Sequence, residues 1–150
     1  MRDERLFRQE ARKKRHNRQL TILISLCAAL IIVSTVEIAM LANPEGYRVW
    51  LEFNPGTTPA DYSAFMLTRY LLDIFVPVAL ALYTYFSISR LGTPMTYRLI
   101  WGAIVALTTG YKLLAFQTAS VFWYVTLVLL AALFLVVINI HRFESVPVKR

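Results

Sequence analysis

Four ionisable side chains interrupt the apolar runs of this sequence, and their chemistry is the first feature that needs an explanation. Each lies inside a run of mostly apolar residues: Glu37, Arg69, Asp73 and Lys112. A charge in a bilayer core is costly, so such residues mark ion pathways, proton relays or interhelical ion pairs. Two are acids and two are bases, so their formal charges cancel. We therefore expect one neutral intramembrane polar network.

The second apolar run holds two of these charges in a regular pattern. Arg69 and Asp73 are four residues apart, which places them on one helix face where they can pair. Pro77 follows after four more residues, and its ring displaces the backbone carbonyl of Asp73. The expected kink leaves a carbonyl acceptor beside an acid, as in a cation or proton site. Two interpretations stay open, namely a structural or snorkelling role for the charges and a transport site that also uses Glu37.

Four apolar runs are long enough to hold these residues inside a membrane. The chain has 150 residues, of which 57% are hydrophobic, and its mean hydropathy is +0.53. A spanning helix needs about 20 mostly apolar residues, and lipid offers no partner to the backbone groups of other structures. The sequence therefore predicts an all-α membrane protein, an up-down bundle of four transmembrane helices. These helices are expected at about 20–42, 64–89, 95–116 and 118–140.

The rest of the chain divides into three segments outside the transmembrane domain 20–140. They are a basic N-terminal segment at 1–19, an outer loop at 43–63 and a tail at 141–150. Thr58 and Pro59 supply a capping side chain and a first-turn proline, so the second helix is expected to begin near Pro59. Thr93 and Pro94 repeat this signal before the third helix.

The outer loop holds an aromatic stretch, 47–53, between two turn sequences. We expect this stretch to rest on the bilayer surface. A lid or a partner-docking surface is the alternative.

The distribution of Lys and Arg predicts the orientation of the bundle. Eight of the sixteen Lys and Arg residues lie in the first 18 residues, whereas the outer loop has only Arg48 against three acids. Arg90 and Arg98 flank the link between the second and third runs. Both termini are therefore expected in the cytoplasm, with Lys112 as the one exception to the pattern. A bacterial cytoplasmic membrane fits this distribution, and a eukaryotic membrane remains an alternative.

The basic cluster before the first run is expected to contact anionic lipid headgroups. Each charge near the surface contributes about 1 kcal/mol to such contact, and the cluster consists of Arg12, Lys13, Lys14, Arg15 and Arg18. Nucleic acid is not an expected partner, because aromatic residues are sparse in this segment and it adjoins a membrane span.

Small residues form a predicted helix-packing groove in the third run. Gly102, Ala106 and Gly110 recur every four residues, so another helix of this chain or of a partner can approach closely there. Lys112 lies about 200° around the helix from Gly110, at about 100° per residue. A helix that has a close-packing face on one side and a charged residue on nearly the opposite side favours an assembly over an isolated bundle.

The sequence contains few residues of the types that catalytic or metal sites use. It contains two His and one Cys, Cys27, and it shows neither a phosphate-binding loop nor a metal motif. We therefore expect no catalytic residues, no metal and no cofactor. The favoured function is association with another membrane protein, as an accessory, scaffold or regulatory subunit. The alternative is a small homo-oligomeric transporter or channel with Glu37 and Asp73 as coupling or selectivity residues.

Overall fold

The computed structural model describes the backbone over 2–91, 95–114 and 120–140, and the side chains over 18–86, 95–114 and 120–140. Within these ranges every regular element is an α-helix, so the predicted all-α class is confirmed. The five helices are α1 (Arg2–Leu41), α2 (Pro44–Phe53), α3 (Pro59–Leu91), α4 (Met95–Leu114) and α5 (Val121–Asn139).

Three of these helices are long and apolar enough to cross a membrane. The candidate spans are Arg18–Leu41, Pro59–Phe86 and Val121–Asn139, and they identify a membrane protein. Helix α4 is not among them, because Arg98 and Lys112 reduce the apolar character of its 20 residues. The fourth span therefore stays a prediction.

The start of α3 carries the cap that the sequence predicted. The Asp61 carboxylate accepts hydrogen bonds from the Thr58 amide (2.8 Å) and the Thr58 hydroxyl (2.7 Å). In return, the Asp61 amide donates to the Thr58 hydroxyl oxygen (3.3 Å). The helix begins at Pro59, as predicted. The equivalent signal at Thr93 and Pro94 lies outside the described residues.

The outer loop contains a helix, α2, that was not predicted. The Asn43 side chain accepts a hydrogen bond from the Gly46 amide (2.6 Å), and Pro44 occupies the first helical position. Glu45 adds an acid to the first turn, where the helix dipole favours it. This combination of cap, proline and acid is the same signal that begins α3, so the sequence did contain the information.

Contacts at the helix ends show that α1, α3, α4 and α5 alternate in direction. At one end, the Gln19 side chain donates to the Asn139 carbonyl (3.3 Å). At the other end, the Tyr62 hydroxyl donates to the Leu41 carbonyl (2.7 Å), and the Trp123 indole near the start of α5 donates to the Lys112 carbonyl near the end of α4 (2.9 Å). Helix α1 packs against α3 and α5, while α4 packs mainly against α5 and approaches α3 closely at few points.

The apolar core is built from all four of these helices. Its buried members are Leu23, Cys27, Leu30, Leu80, Tyr97, Val105, Leu130, Leu133, Val137 and Ile140. Large apolar side chains also cover the outside of the bundle, for example Leu107 and Val121, each 74% exposed. An apolar surface of this extent is typical of helices that are solvated by lipid.

Candidate functional site

A first ion pair joins α1 to α3. The Arg69 guanidinium donates to the Glu37 carboxylate across 2.7 Å. The Glu37 side chain is 8% exposed and that of Arg69 is 22% exposed. The acid is therefore desolvated almost completely, while the base keeps access to the bundle surface.

A second ion pair joins α3 to α4. The Lys112 ammonium lies 2.7 Å from the Asp73 carboxylate, and the two side chains are 12% and 13% exposed. Because α3 and α4 approach each other closely at few points, this pair is one of the main contacts between them. Nearer the opposite end of the same seam, the Thr84 and Tyr97 hydroxyls share a hydrogen bond of 2.5 Å.

The structure thus brings all four predicted residues into two ion pairs, and α3 contributes one member to each. The spacing of Arg69 and Asp73 suggested pairing along one helix, yet both of these ion pairs run between helices. Each formal charge faces an opposite charge on another helix, so the two pairs connect α3 to α1 on one side and to α4 on the other. The functional role of the four residues stays a prediction.

A small cleft lies beside these pairs, between α1 and α3. Its volume of about 10 Å³ is room for about one water molecule. Its lining is Ser34, Glu37, Ile38, Leu41, Arg69, Tyr70 and Asp73. Two carboxylates and a guanidinium thus share one cleft whose volume is that of about one water molecule.

Pro77 lies inside α3, four residues beyond Asp73. The helix continues through it to Leu91, and its side chain is fully buried. Because proline has no amide hydrogen, the Asp73 carbonyl loses its usual helical donor. The predicted free acceptor, the backbone carbonyl of Asp73, therefore belongs to the same residue whose carboxylate pairs with Lys112.

The predicted groove on α4 divides between two faces of the helix. A Cβ on Gly102, which is buried, would lie 3.8 Å from the Ile138 side chain of α5. Ala106 is exposed, and a Cβ on Gly110 would meet no described atom within 4 Å. One end of the groove is therefore in contact with α5, while the exposed Ala103 and Ala106 and the half-buried Gly110 form an outward small-residue face.

The basic N-terminal cluster belongs to α1, which runs unbroken from Arg2 through the predicted boundary at residue 19. Arg18 is exposed at that boundary. The side chains of Arg12, Lys13, Lys14 and Arg15 lie outside the described ones. Their contact with headgroups stays a prediction.

Two polar features of the bundle interior were not predicted. One is the buried bond between Thr84 and Tyr97. The other is Thr126, a buried residue of α5 whose hydroxyl has no hydrogen-bond partner among the described residues. Neither has a signal in the sequence, since each depends on which helices meet.

Comparison of this chain with known protein families, curated proteins and solved structures finds no match. The ion pairs, the cleft and the outward face of α4 are therefore the observations from which a function is inferred.

Proposed function

We propose that this chain is a four-span protein of a cytoplasmic membrane, with both termini in the cytoplasm, that works by association. It acts as an accessory, scaffold or regulatory subunit of a membrane complex and not as an enzyme. A bacterial membrane is the favoured location, because of the distribution of Lys and Arg along the sequence.

The partners of the two α4 cations support the fourth span. Lys112 faces the Asp73 carboxylate, and Arg98 donates to the Ile138 carbonyl near the end of α5. An isolated α4 would carry both charges into the membrane unaided, near the two ends of the helix, where each costs less than the roughly 3 kcal/mol of a charge at the membrane centre. The bundle supplies a partner for each, so α4 is stable in the membrane beside α3 and α5.

The outward small-residue face of α4 is the observation that carries the association. Ala103, Ala106 and Gly110 are spaced by three and four residues, so they share one face of the helix. In lipid, helices associate through close backbone approach, and small residues permit it. The ion pairs also favour association over transport, because each intramembrane charge pairs with a charge on another helix and so stabilises the bundle.

Filling the outward face tests the proposal directly. Ala106→Leu and Gly110→Leu place a bulky side chain on this face, at an exposed alanine and at a glycine whose added Cβ would meet no described atom within 4 Å. Ala131→Leu is the matched control, since Ala131 is an exposed alanine in the interior of α5. The protein is extracted with its native lipid, and native mass spectrometry identifies the bound partner.

We expect the wild-type protein and Ala131→Leu to retain a reproducible partner, and the two α4 variants to lose it. Retention of that partner by all the variants would refute α4 as the interface. A wild-type protein that is monomeric at every detergent concentration would refute association itself.

The cleft favours one second candidate, a homo-oligomeric transporter or channel. Glu37 and Asp73 both line it, as the coupling or selectivity residues of a cation pathway would. The two candidates differ in what Asp73→Asn does in liposomes. A transporter variant loses cation or proton flux while keeping its oligomeric state, whereas an accessory subunit shows no flux in either form and loses stability.

A further inference from the structure

Helix α2 lies at the junction of α1 and α3 and contacts both. The Tyr62 hydroxyl donates to the Leu41 carbonyl (2.7 Å), and the Tyr47 hydroxyl donates to the Thr57 carbonyl (3.0 Å). Gly46 lies so close to the first of these bonds that a Cβ there would clash with both of its partners. The close approach of Gly46 and the hydrogen bond of Tyr47 therefore determine which side of α2 faces the rest of the chain.

Aromatic side chains extend the packing between α2 and α3 toward the exposed side of α3. The Trp50 ring lies 5.4 Å from that of Tyr62 and 6.0 Å from that of Phe65, measured between ring centroids. Phe65 is itself an exposed residue of α3, within a candidate span. The aromatic cluster of α2 is thus continuous with the apolar outer surface of that span.

With one face packed on the protein, α2 presents a polar face and an apolar edge. The residues of the polar face are exposed, namely Glu45, Arg48 and Glu52. The apolar edge consists of Val49 and Phe53, which are four residues apart, and they are 53% and 80% exposed. Two large apolar side chains therefore project on the same edge of a helix whose other exposed side is charged.

The depth of α2 follows from the length of α1. Gln19 contacts α5 at one end of the bundle and Leu41 contacts α3 at the other. The 22 residues between them (41 − 19) span about 33 Å at 1.5 Å per residue. The hydrocarbon core of a bilayer is about 30 Å thick. Helix α2 follows Leu41 directly, so it lies at the edge of the hydrocarbon, where amphipathic helices bind lipid.

We propose that α2 is an interfacial anchor whose apolar edge, Val49 and Phe53, inserts between phospholipid acyl chains while its polar face meets the headgroups. The anchor sets the depth of the bundle in the bilayer. It depends neither on the orientation of the chain nor on association through α4, because either orientation leaves α2 at a membrane surface.

Site-directed spin labelling tests this anchor in phosphatidylcholine and phosphatidylglycerol vesicles. A nitroxide is attached at Phe53→Cys and, as a matched control, at Glu52→Cys, the adjacent residue on the polar face. Both variants carry Cys27→Ala, which removes the single native cysteine. Collision rates with oxygen, which concentrates in lipid, and with a water-soluble nickel chelate report the surroundings of each label.

We expect the ratio of oxygen to nickel collisions to be severalfold higher at residue 53 than at residue 52. Val49→Cys, on the same edge one turn earlier, should match residue 53. Equal ratios with frequent nickel collisions at both 52 and 53 would place the edge in water and overturn the anchor. Infrequent collisions with both reagents at residue 53 would mean that protein covers the edge, which would also overturn it. Native tryptophan emission in each labelled variant verifies folding.

Discussion

Replacing Asp73 by Asn should destabilise the bundle by leaving the Lys112 ammonium without its counter-charge. The change keeps the size and shape of the side chain and removes only the charge. At 2.7 Å the gross attraction of this pair is about 6 kcal/mol with an effective dielectric constant of about 20. Both side chains are nearly buried, so much of that attraction offsets the cost of removing the two charges from water.

The net loss follows from what Lys112 experiences once it is alone. Asp73 lies 11 residues (73 − 62) along α3 from Tyr62, which meets the end of α1. That separation is about 16 Å, or half of the bilayer hydrocarbon of about 30 Å. A charge at mid-membrane depth, where Asp73 holds the Lys112 ammonium, costs about 3 kcal/mol, and breaking a buried pair costs about 3–5 kcal/mol. We expect a loss of about 3 kcal/mol, because Lys112 is long enough to relieve part of the cost by snorkelling.

A double-mutant cycle measures this quantity. Asp73→Asn, Lys112→Met and the double variant are unfolded by increasing mole fractions of SDS in mixed micelles, and tryptophan emission follows the transition. The double variant removes both charges of this pair, so neither is left without a partner, and it should recover about 2 kcal/mol or more relative to Asp73→Asn. The exchanged pair, Asp73→Lys with Lys112→Asp, should recover stability in the same way.

Two results would refute this reasoning. A loss below about 0.5 kcal/mol in Asp73→Asn would resemble an exposed ion pair and not a buried one. Additive effects of Asp73→Asn and Lys112→Met would mean that the two side chains do not interact, whatever the distance between them. Either result would remove the ion pair as the support for α4 in the membrane.

Two further substitutions test other contacts of the fold. Glu37→Gln should lower the free energy of unfolding by only about 1–2 kcal/mol, because Arg69 is partly exposed and can reach the headgroups once released. The same SDS titration measures this loss. A loss larger than that of Asp73→Asn would contradict this ranking. Gly46→Ala should lower the free energy of unfolding by about 1–3 kcal/mol through overpacking. The added Cβ would lie 2.7 Å from the Tyr62 hydroxyl and closer still to the Leu41 carbonyl. Thermal unfolding measures the loss, and an unchanged midpoint would mean that α2 is not packed against these two groups.

Local signals in the sequence determined the helices and the positions of the buried charges. The start of α3 was predicted from Thr58 and Pro59, and three of the four predicted spans contain a helix that is long and apolar enough to cross a membrane. Such features depend on residues a few positions apart or on sums over about 20 residues. Helix α2 was missed although Asn43 and Pro44 gave a signal of the same kind, because the segment is too short for an apolar run.

Tertiary structure decided which charges meet and which surface of α4 remains free. The spacing of Arg69 and Asp73 is equally compatible with pairing on α3 and with pairing to two other helices, and only packing distinguishes these arrangements. The same holds for Gly102 and Gly110, which lie on one helix, since a Cβ on Gly102 would contact α5 whereas a Cβ on Gly110 would meet no described atom within 4 Å.

The physical reason is the rotation of each helix about its own axis and the order of its neighbours. Both are set by the interlocking of core side chains such as Leu80, Val105 and Leu133, which come from three different helices. Periodicity along one helix defines a face, but only contacts between distant parts of the chain determine what that face meets.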